Sequence, residues 1–347
     1  MKITKAKYQI IDEPSITKKI ERIARICYKS EDKIGEGTDI KMINKLIEYQ
    51  HTAMLEHGDF AIIVDEITYN SIFTLVANIE TTIWADMESD NKRCHLRFTD
   101  YKKDAITSQR FVISGNVRAW LEVMDKGCIV GGWILPDPLY NALVLGFPLF
   151  ENRYSHDAYD GEEYYDCHCE LVTDYTILSD AERMVHETFS VLFTVDRGVT
   201  HEMVRHREEC SFAQESTRYC NYHLDKFGRE ITVIEPCFWD YSPENGTTKD
   251  ITCYNAWYDS CKFAEMQYFK ILDNGGTPQQ ARTVLPNSTK ADIVITATLR
   301  EWKHIFSLRA CDSTGPAHPQ IKEVMIPLLK DMKKPYPFAY GTMIVAG

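Results

Sequence analysis

Val204–Cys220 reads VRHREECSFAQESTRYC. It sets three basic residues side by side, Arg205, His206 and Arg207, in a chain whose formal charge is −12 at pH 7. Arg218 follows eleven residues after Arg207, directly behind Gln214, Glu215 and Ser216. One reading is a solvated helix in which Arg205 pairs with Glu208 or Glu209, as charge runs on helices commonly do. Against it, Glu208 falls where an apolar stripe through Val204 and Phe212 needs an apolar side chain. The other reading is a polyanion site. Arginine presents a fixed fork of donors to phosphate oxygens and keeps its charge at any working pH. Arg282 and Arg309 share the theme, since each lies on or beside an apolar helical face where a lone cation needs an anionic partner.

The 347 residues, 44% hydrophobic and 26% charged, suffice for one large domain or two smaller ones with a substantial core. No apolar run approaches the ~20 residues that span a bilayer. The opening MKITKAKYQIIDEPS lacks the apolar segment of a signal peptide. A cytoplasmic protein with no membrane partner is therefore expected. Eleven irregularly spaced cysteines point to reduced thiols and not to a disulfide framework. The acidic balance argues against non-specific nucleic-acid binding. It leaves room for a small anionic ligand, because a pocket's local field can oppose the global charge.

Helical spacing of Ile16, Ile20, Ile23, Ala24 and Cys27 predicts a first helix, and Asp39 is expected to cap a second. FAIIVDEI has the length and composition of a strand. Ser179 and Glu182 form a capping box. Alternation predicts a strand through Val191, Phe193 and Val195, and GVTHEMVRHR a short helix that carries the basic cluster. Thr277 and Pro278 open a helix that stops at Pro286. Leu299, Trp302, Phe306 and Arg309 share one helical face, and a last helix opens at Pro319 with Pro327 expected to kink it. No solenoid repeat is present. Between residues 68 and 178 the texture shifts to Tyr, Trp and Gly with an acidic, tyrosine-rich patch, which reads as an exposed loop within an inserted subdomain.

RHR followed by S and QESTRY resembles the signature of the flavin-dependent thymidylate synthases. ARICYKS, LIEYQHTAMLEH, FTVDRGVTHEMVRHR, QQARTVLP and TLREWKHIFSLRACDS with AHPQI resemble family segments in the family's order. The resemblance implies an α+β fold, an antiparallel sheet with flanking helices, on residues 1–67 and 179–335. Residues 68–178 become an inserted subdomain and 336–347 a tail. It also implies a homotetramer with sites where subunits meet. There FAD-dependent reductive methylation would convert dUMP to dTMP, with NADPH and methylenetetrahydrofolate as co-substrates. Hydroxymethylation of a pyrimidine nucleotide on the same scaffold, or ligand binding without turnover, are the alternatives.

Carried onto this sequence, the resemblance places Arg205, His206, Arg207, Gln214, Thr298, Arg300 and His304 at FAD. Glu202, Arg205, Gln214, Glu215, Ser216, Arg218, Arg282 and Arg309 fall at dUMP. Arg309 is the catalytic expectation, because a preorganised cation stabilises negative charge developing on the uracil ring. No activating base stands near Ser216, which is read as ligand-binding. The chain departs from the pattern by one extra residue between Arg207 and Ser216, in EECSFAQE, and by paired acids at Glu208 and Glu209. SGNVRAW (Ser114–Trp120) echoes TATLREW (Thr296–Trp302) and reads first as a helix start with a buried Trp120. Asn116 and Arg118 there are secondary candidates for flavin or folate contact. Cys167, His168 and Cys169 lack a zinc spacing, so no metal is expected. His51 and His57 read as structural support. Cys210 is the thiol to watch, although Glu208 and Glu209 oppose its activation.

Overall fold

In a computed structural model the described residues are 1–73, 96–101, 110–129, 137–153, 168–218, 220, 222–223, 228–242 and 244–345. In chain order, strands β1 (Lys2–Thr4) and β2 (Lys7–Ile11) lead into helices α1 (Ile16–Tyr28) and α2 (Thr38–Glu48). Next come β3 (Asp59–Asp65), β4 (Arg97–Tyr101), β5 (Arg110–Asn116) and α3 (Val117–Ile129). They are followed by β6 (Cys169–Leu171), α4 (Asp180–His186), β7 (Thr188–Asp196), α5 (Arg197–Met203), β8 (Cys210–Gln214) and β9 (Thr232–Ile234). Then come α6 (Thr248–Asp273), β10 (Lys290–Thr298), α7 (Leu299–Arg309) and α8 (Pro319–Met332).

The strands make two four-stranded antiparallel sheets, one ordered β4-β5-β3-β6 and the other β2-β7-β10-β8. β1 and β9 form a separate parallel pair. The mixed helix and antiparallel-sheet composition agrees with the expected class. Strand β3 belongs to the segment expected in the catalytic core, yet it pairs along its length with β5 and also with β6, both from residues 68–178. Each sheet has its own apolar core. The first includes Phe60, Ile62, Ile113 and Trp120, and the second Phe189, Val191, Ile295 and Trp302.

Local chemistry explains most boundaries. Ser15 caps α1, whose Ile20, Ile23, Ala24 and Cys27 are buried. The expected cap of α2 is corrected: the helix starts at Thr38 after Gly37 in the left-handed region, φ 67°. Asp39 is buried in the first turn and accepts from Thr17 Oγ1 at 2.6 Å, so it holds α1 to α2. The capping box of Ser179 and Glu182 is formed at both ends. Val191, Phe193 and Val195 are fully buried on β7. The basic cluster does not ride on a helix, because α5 stops at Met203 and Arg205 to Arg207 lie on the turn beyond it. Helix α8 runs from Pro319 through Pro327 to Met332.

Among the described residues no helix is long and apolar enough to cross a membrane. The described cysteines Cys27, Cys169, Cys210, Cys220, Cys237, Cys253, Cys261 and Cys311 are free thiols. The tyrosine-rich patch from 155 to 167, Cys167 included, and residues 346 and 347 lie outside the described residues.

Candidate functional site

Two strand-to-helix junctions build the site. At the end of β7, Asp196 Oδ1 accepts from Val199 N at 2.8 Å and opens α5. The chain then turns through Val204–Arg207, adopts the left-handed region at Glu209 (φ 50°) and enters β8. A positive φ is costly for a residue with a Cβ. Here it turns the chain directly into the strand, which begins at Cys210. At the end of β10, Thr298 Oγ1 accepts from Glu301 N at 3.1 Å and opens α7. Leu299, Trp302, Ile305 and Phe306 anchor α7 in the core. Glu301, His304 and Arg309 are left facing the basic turn.

Between them lies a cavity of about 840 Å³ lined by Arg205, His206, Arg207 and Glu208, by Glu301, His304, Leu308 and Arg309, and by Thr314–Ala317. Arg309 Nε donates to His206 Nε2 at 3.2 Å, which fixes that nitrogen as an acceptor and the ring as neutral. Burial, with the Arg309, His304 and Arg205 charges, lowers the imidazole to about 4, consistent with that state. The far side of Arg309 is held by Glu202, with Nη1 3.4 Å from Oε2 and Nη2 3.3 Å from the carbonyl oxygen. Glu301 is raised to about 7 by burial and then by Glu209 and Glu208. Its Oε1 lies 3.8 Å from His206 Nδ1. The guanidiniums of Arg205 and Arg207 are on exposed residues and make no hydrogen bond or ion pair among the described residues. His206, Glu301 and His304 offer ligand atoms within 4.8 Å of one another, but the three guanidiniums lining the cavity oppose a bound cation.

The other candidates are placed elsewhere. Glu209 binds the Arg300 guanidinium and accepts from Thr298 Oγ1 at 2.6 Å, so an internal carboxylate occupies two expected flavin contacts. Gln214 Nε2 donates to Thr200 Oγ1 at 3.0 Å. Ser216 Oγ accepts from Arg218 N at 3.3 Å, and Arg218 Nε donates to Gln279 Oε1 at 3.3 Å. Arg282 is exposed on a single 3₁₀ turn. Glu215 is buried against Lys290 at 2.8 Å and Lys29 at 3.5 Å. With Tyr222 and Glu230 these groups line a separate cavity of about 460 Å³. Burial alone would raise the Asp292 carboxyl beside the two lysines, but Lys290 and Lys29 outweigh it and hold it at about 2. Lys29, Lys290 and Glu301 received no role from the sequence. Glu301 alone carried a signal, as the acid three residues after the Thr298 cap.

A narrower cleft of about 240 Å³ shares Arg207 with the large cavity, and its other lining residues include Glu56, Asp59, Arg97, Asn116, Thr188, Ser211 and Thr296. Arg97 Nη2 donates to both Asp59 oxygens at 2.7 Å. His57 is fully buried with Nδ1 2.7 Å from Thr296 Oγ1, and His51 is exposed. The Cys210 thiol is pushed well up by burial and then by Glu301 and Glu209, which suits packing and not attack.

Residues 172–338 match the Thy1 family, thymidylate synthase complementing protein. Over 152 residues the chain is 33% identical to the flavin-dependent thymidylate synthase of Pyrococcus furiosus, covering 43% of this chain and 56% of that protein. It is 29% identical over 160 residues to the enzyme of the same name from Geobacter sulfurreducens, covering 45% and 62%. The resemblance read from the signature motifs is thus shown for the second half of the sequence. The chain spans about half the length of the first of these relatives. A crystal structure of the UMP/dUMP methylase PolB from Streptomyces cacaoi with 5-Br dUMP gives a TM-score of 0.38 at 20% identity, over 44% of this chain and 69% of that one.

Proposed function

We propose that the chain is an enzyme of dTMP formation, methylating dUMP reductively with FAD as cofactor, methylenetetrahydrofolate as carbon donor and NADPH as reductant. One observation carries this reading. In an acidic chain, Arg205 and Arg207 stand without partners among the described residues at a roomy cavity backed by Arg309, within the segment that matches the family. Unpaired guanidiniums suit the phosphates of a dinucleotide and a nucleotide. FAD, when bound, supplies the hydride chemistry.

The protein's part is placement and charge. Arg309, held by His206 and Glu202, is preorganised to stabilise negative charge on a uracil ring. Neutral His206 fixes the guanidinium without adding a competing charge. Arg205 and Arg207 would hold phosphate. Gln214, Glu215, Ser216, Arg218 and Arg282 remain proposed nucleotide contacts, as Arg300, Thr298 and His304 remain proposed flavin contacts. Homotetramer assembly and a cytoplasmic location belong to the same proposal. The Glu209–Arg300 pair favours a second reading, a homologue that binds flavin and nucleotide without turnover.

The visible spectrum of the purified protein, with FAD, dUMP and NADPH added anaerobically, tests the redox site. Bleaching by NADPH and a shift with dUMP are expected, and a protein that takes up no FAD would sink the reading. Product mass after adding the folate then distinguishes methylation from hydroxymethylation and from silent binding.

A further inference from the structure

We propose that the chain consists of two diverged copies of one unit, joined in tandem, and that the first copy is the built-in wall of a single anionic-dinucleotide site on the second. The sheets supply the first observation. The order β6-β3-β5-β4 matches β2-β7-β10-β8 strand for strand, all neighbours antiparallel. The outer strands are exchanged: β2, from the start of the chain, pairs with β7, whereas β6, which opens the second copy, pairs with β3.

The local chemistry repeats as well. Val117 N donates to Gly58 O at 2.8 Å and Leu299 N to Glu187 O at 3.0 Å. Asn116 caps α3 by accepting from Ala119 N at 2.9 Å, as Thr298 caps α7. Phe60 stacks on Trp120 at 5.4 Å, and Phe189 on Trp302 at 4.7 Å. Between the copies the contacts are reciprocal. His57 meets Thr296 Oγ1 at 2.7 Å, and its counterpart His186 meets Ser114 Oγ, the counterpart of Thr296, at 2.7 Å. A contact from i to j that is returned from j's side to i's is the mark of a two-fold relation.

Among the described residues the cationic cavity lies on the second copy. In the places of His304 and Arg309 on α7, helix α3 has Glu122 and Gly127. Arg118, in the place of Arg300, is held by Glu56 at 2.6 Å and Glu122 at 3.2 Å. The 240 Å³ cleft is lined by both members of the equivalent pairs Asp59 and Thr188, Leu96 and Cys210, and Arg97 and Ser211. It therefore lies where the copies meet about their two-fold relation, and Arg207 lines both this cleft and the 840 Å³ cavity. An elongated anionic ligand spanning the two would touch both copies of one chain. This rests on the flavin reading only for the ligand's identity.

The test is a fluorescence titration of FAD into the full chain. We expect one FAD per chain. Asp59→Asn with Arg97→Gln, which removes a buried charge pair and leaves polar side chains in its place, should weaken binding about tenfold or more, and Arg207→Ala comparably. An equimolar mixture of those two variants should stay weak, because the site is completed in cis. Two FAD per chain, unchanged affinity in the first-copy variant, or recovery on mixing would each overturn the proposal. Should the wild type take up no FAD, the flavin assignment falls, and calorimetry without ligand decides the interlock. One transition shifted by both Ser114→Ala and Thr296→Val sustains it. Two transitions, with Ser114→Ala moving only one, overturn it.

Discussion

Helices α3 and α7 begin alike and diverge toward their ends. Each follows a central strand, starts under a polar cap, places a tryptophan against a phenylalanine of the neighbouring strand and has an arginine in its first turn. In α3 that arginine is closed off by two carboxylates, Glu56 and Glu122. In α7 the same face goes on to His304 and Arg309 and borders the large cavity. The apolar scaffold tolerates either ending, since Trp120 and Trp302 are equally buried. What separates a closed helix from an open site is a few polar positions that packing does not dictate.

The sharpest way to break that comparison is Arg309→Ala. Removing one preorganised donor to a developing anion costs on the order of 10²–10³ in turnover. We expect that loss in the rate of dTMP formation with FAD still bound. Glu122→Ala on α3, which does not line the cavity, should leave the rate near wild type. Equal effects of the two would erase the distinction between the helices.

Glu301 sharpens it next, because Ala119 stands in its place on α3. Its carboxyl is raised from the ordinary 4.5 to about 7 by burial, Glu209 and Glu208. The sign follows. Below pH 4.5 both folded and unfolded forms are protonated and nothing is lost. Between 4.5 and 7 only the unfolded form ionises, and stability falls; above 7 the loss is complete. Glu301→Gln should therefore stabilise the protein by at most about 3 kcal/mol at pH 8 and very little at pH 4.5. Urea titrations at the two pH values would show it, and the same gain at both would mean that Glu301 is not ionising under strain.

The histidine pair offers a symmetric probe of smaller size. His186 is bonded on both nitrogens, to Ser114 Oγ and Thr99 Oγ1 at 2.7 Å, and His57 to Thr296 Oγ1. Burial, aided by Lys19 for His57 and by Arg97 and Arg300 for His186, lowers each to about 3. Ser114→Ala and Thr296→Val each leave a buried nitrogen short of a partner, at about 1–3 kcal/mol. Denaturant midpoints should fall by similar amounts in the two variants. A loss confined to one would show that the two contacts are not equivalent.

Much of the second sheet was legible before the structure. Val191, Phe193 and Val195 alternate, Ser179 and Glu182 box the helix before them, and Thr277 with Pro278 marks a start, all local signals. Strand β10 offers no alternation to read, because KADIVITAT is buried on both faces. Helix α6 presents no apolar stripe, because its 26 residues mix aromatics and charges on every side and bury few of them. The basic turn is legible as a cation cluster, but the pairing of Glu209 with Arg300 is not, since the two lie 91 residues apart in sequence. The duplication showed only as the echo of SGNVRAW in TATLREW. Its strongest marks, the contacts of His57 with Thr296 and His186 with Ser114, join residues 239 and 72 apart, and no periodicity reports such a pairing.

Cys210 gives the smallest predicted effect. A thiol beside Arg207 invites the idea of a nucleophile that attacks uracil, and a thiolate would be required. The site opposes one: burial comes first, and then Glu301 and Glu209 add like charge, so the thiol stays protonated. The comparison between the sheets points the same way. Cys210 opposes Ala297 on β10, and the matching place beside Gly115 on β5 falls to Leu96, packed at the edge of the first core as Cys210 is at the edge of the second. A position that takes leucine in one unit and cysteine in the other is filled for its volume. Cys210→Ser should thus keep turnover within about twofold, a change of roughly 0.4 kcal/mol in barrier, with a small loss of stability from the buried hydroxyl. Turnover lost in a folded, flavin-binding Cys210→Ser variant would put covalent chemistry at this thiol and set Arg309 in a supporting role.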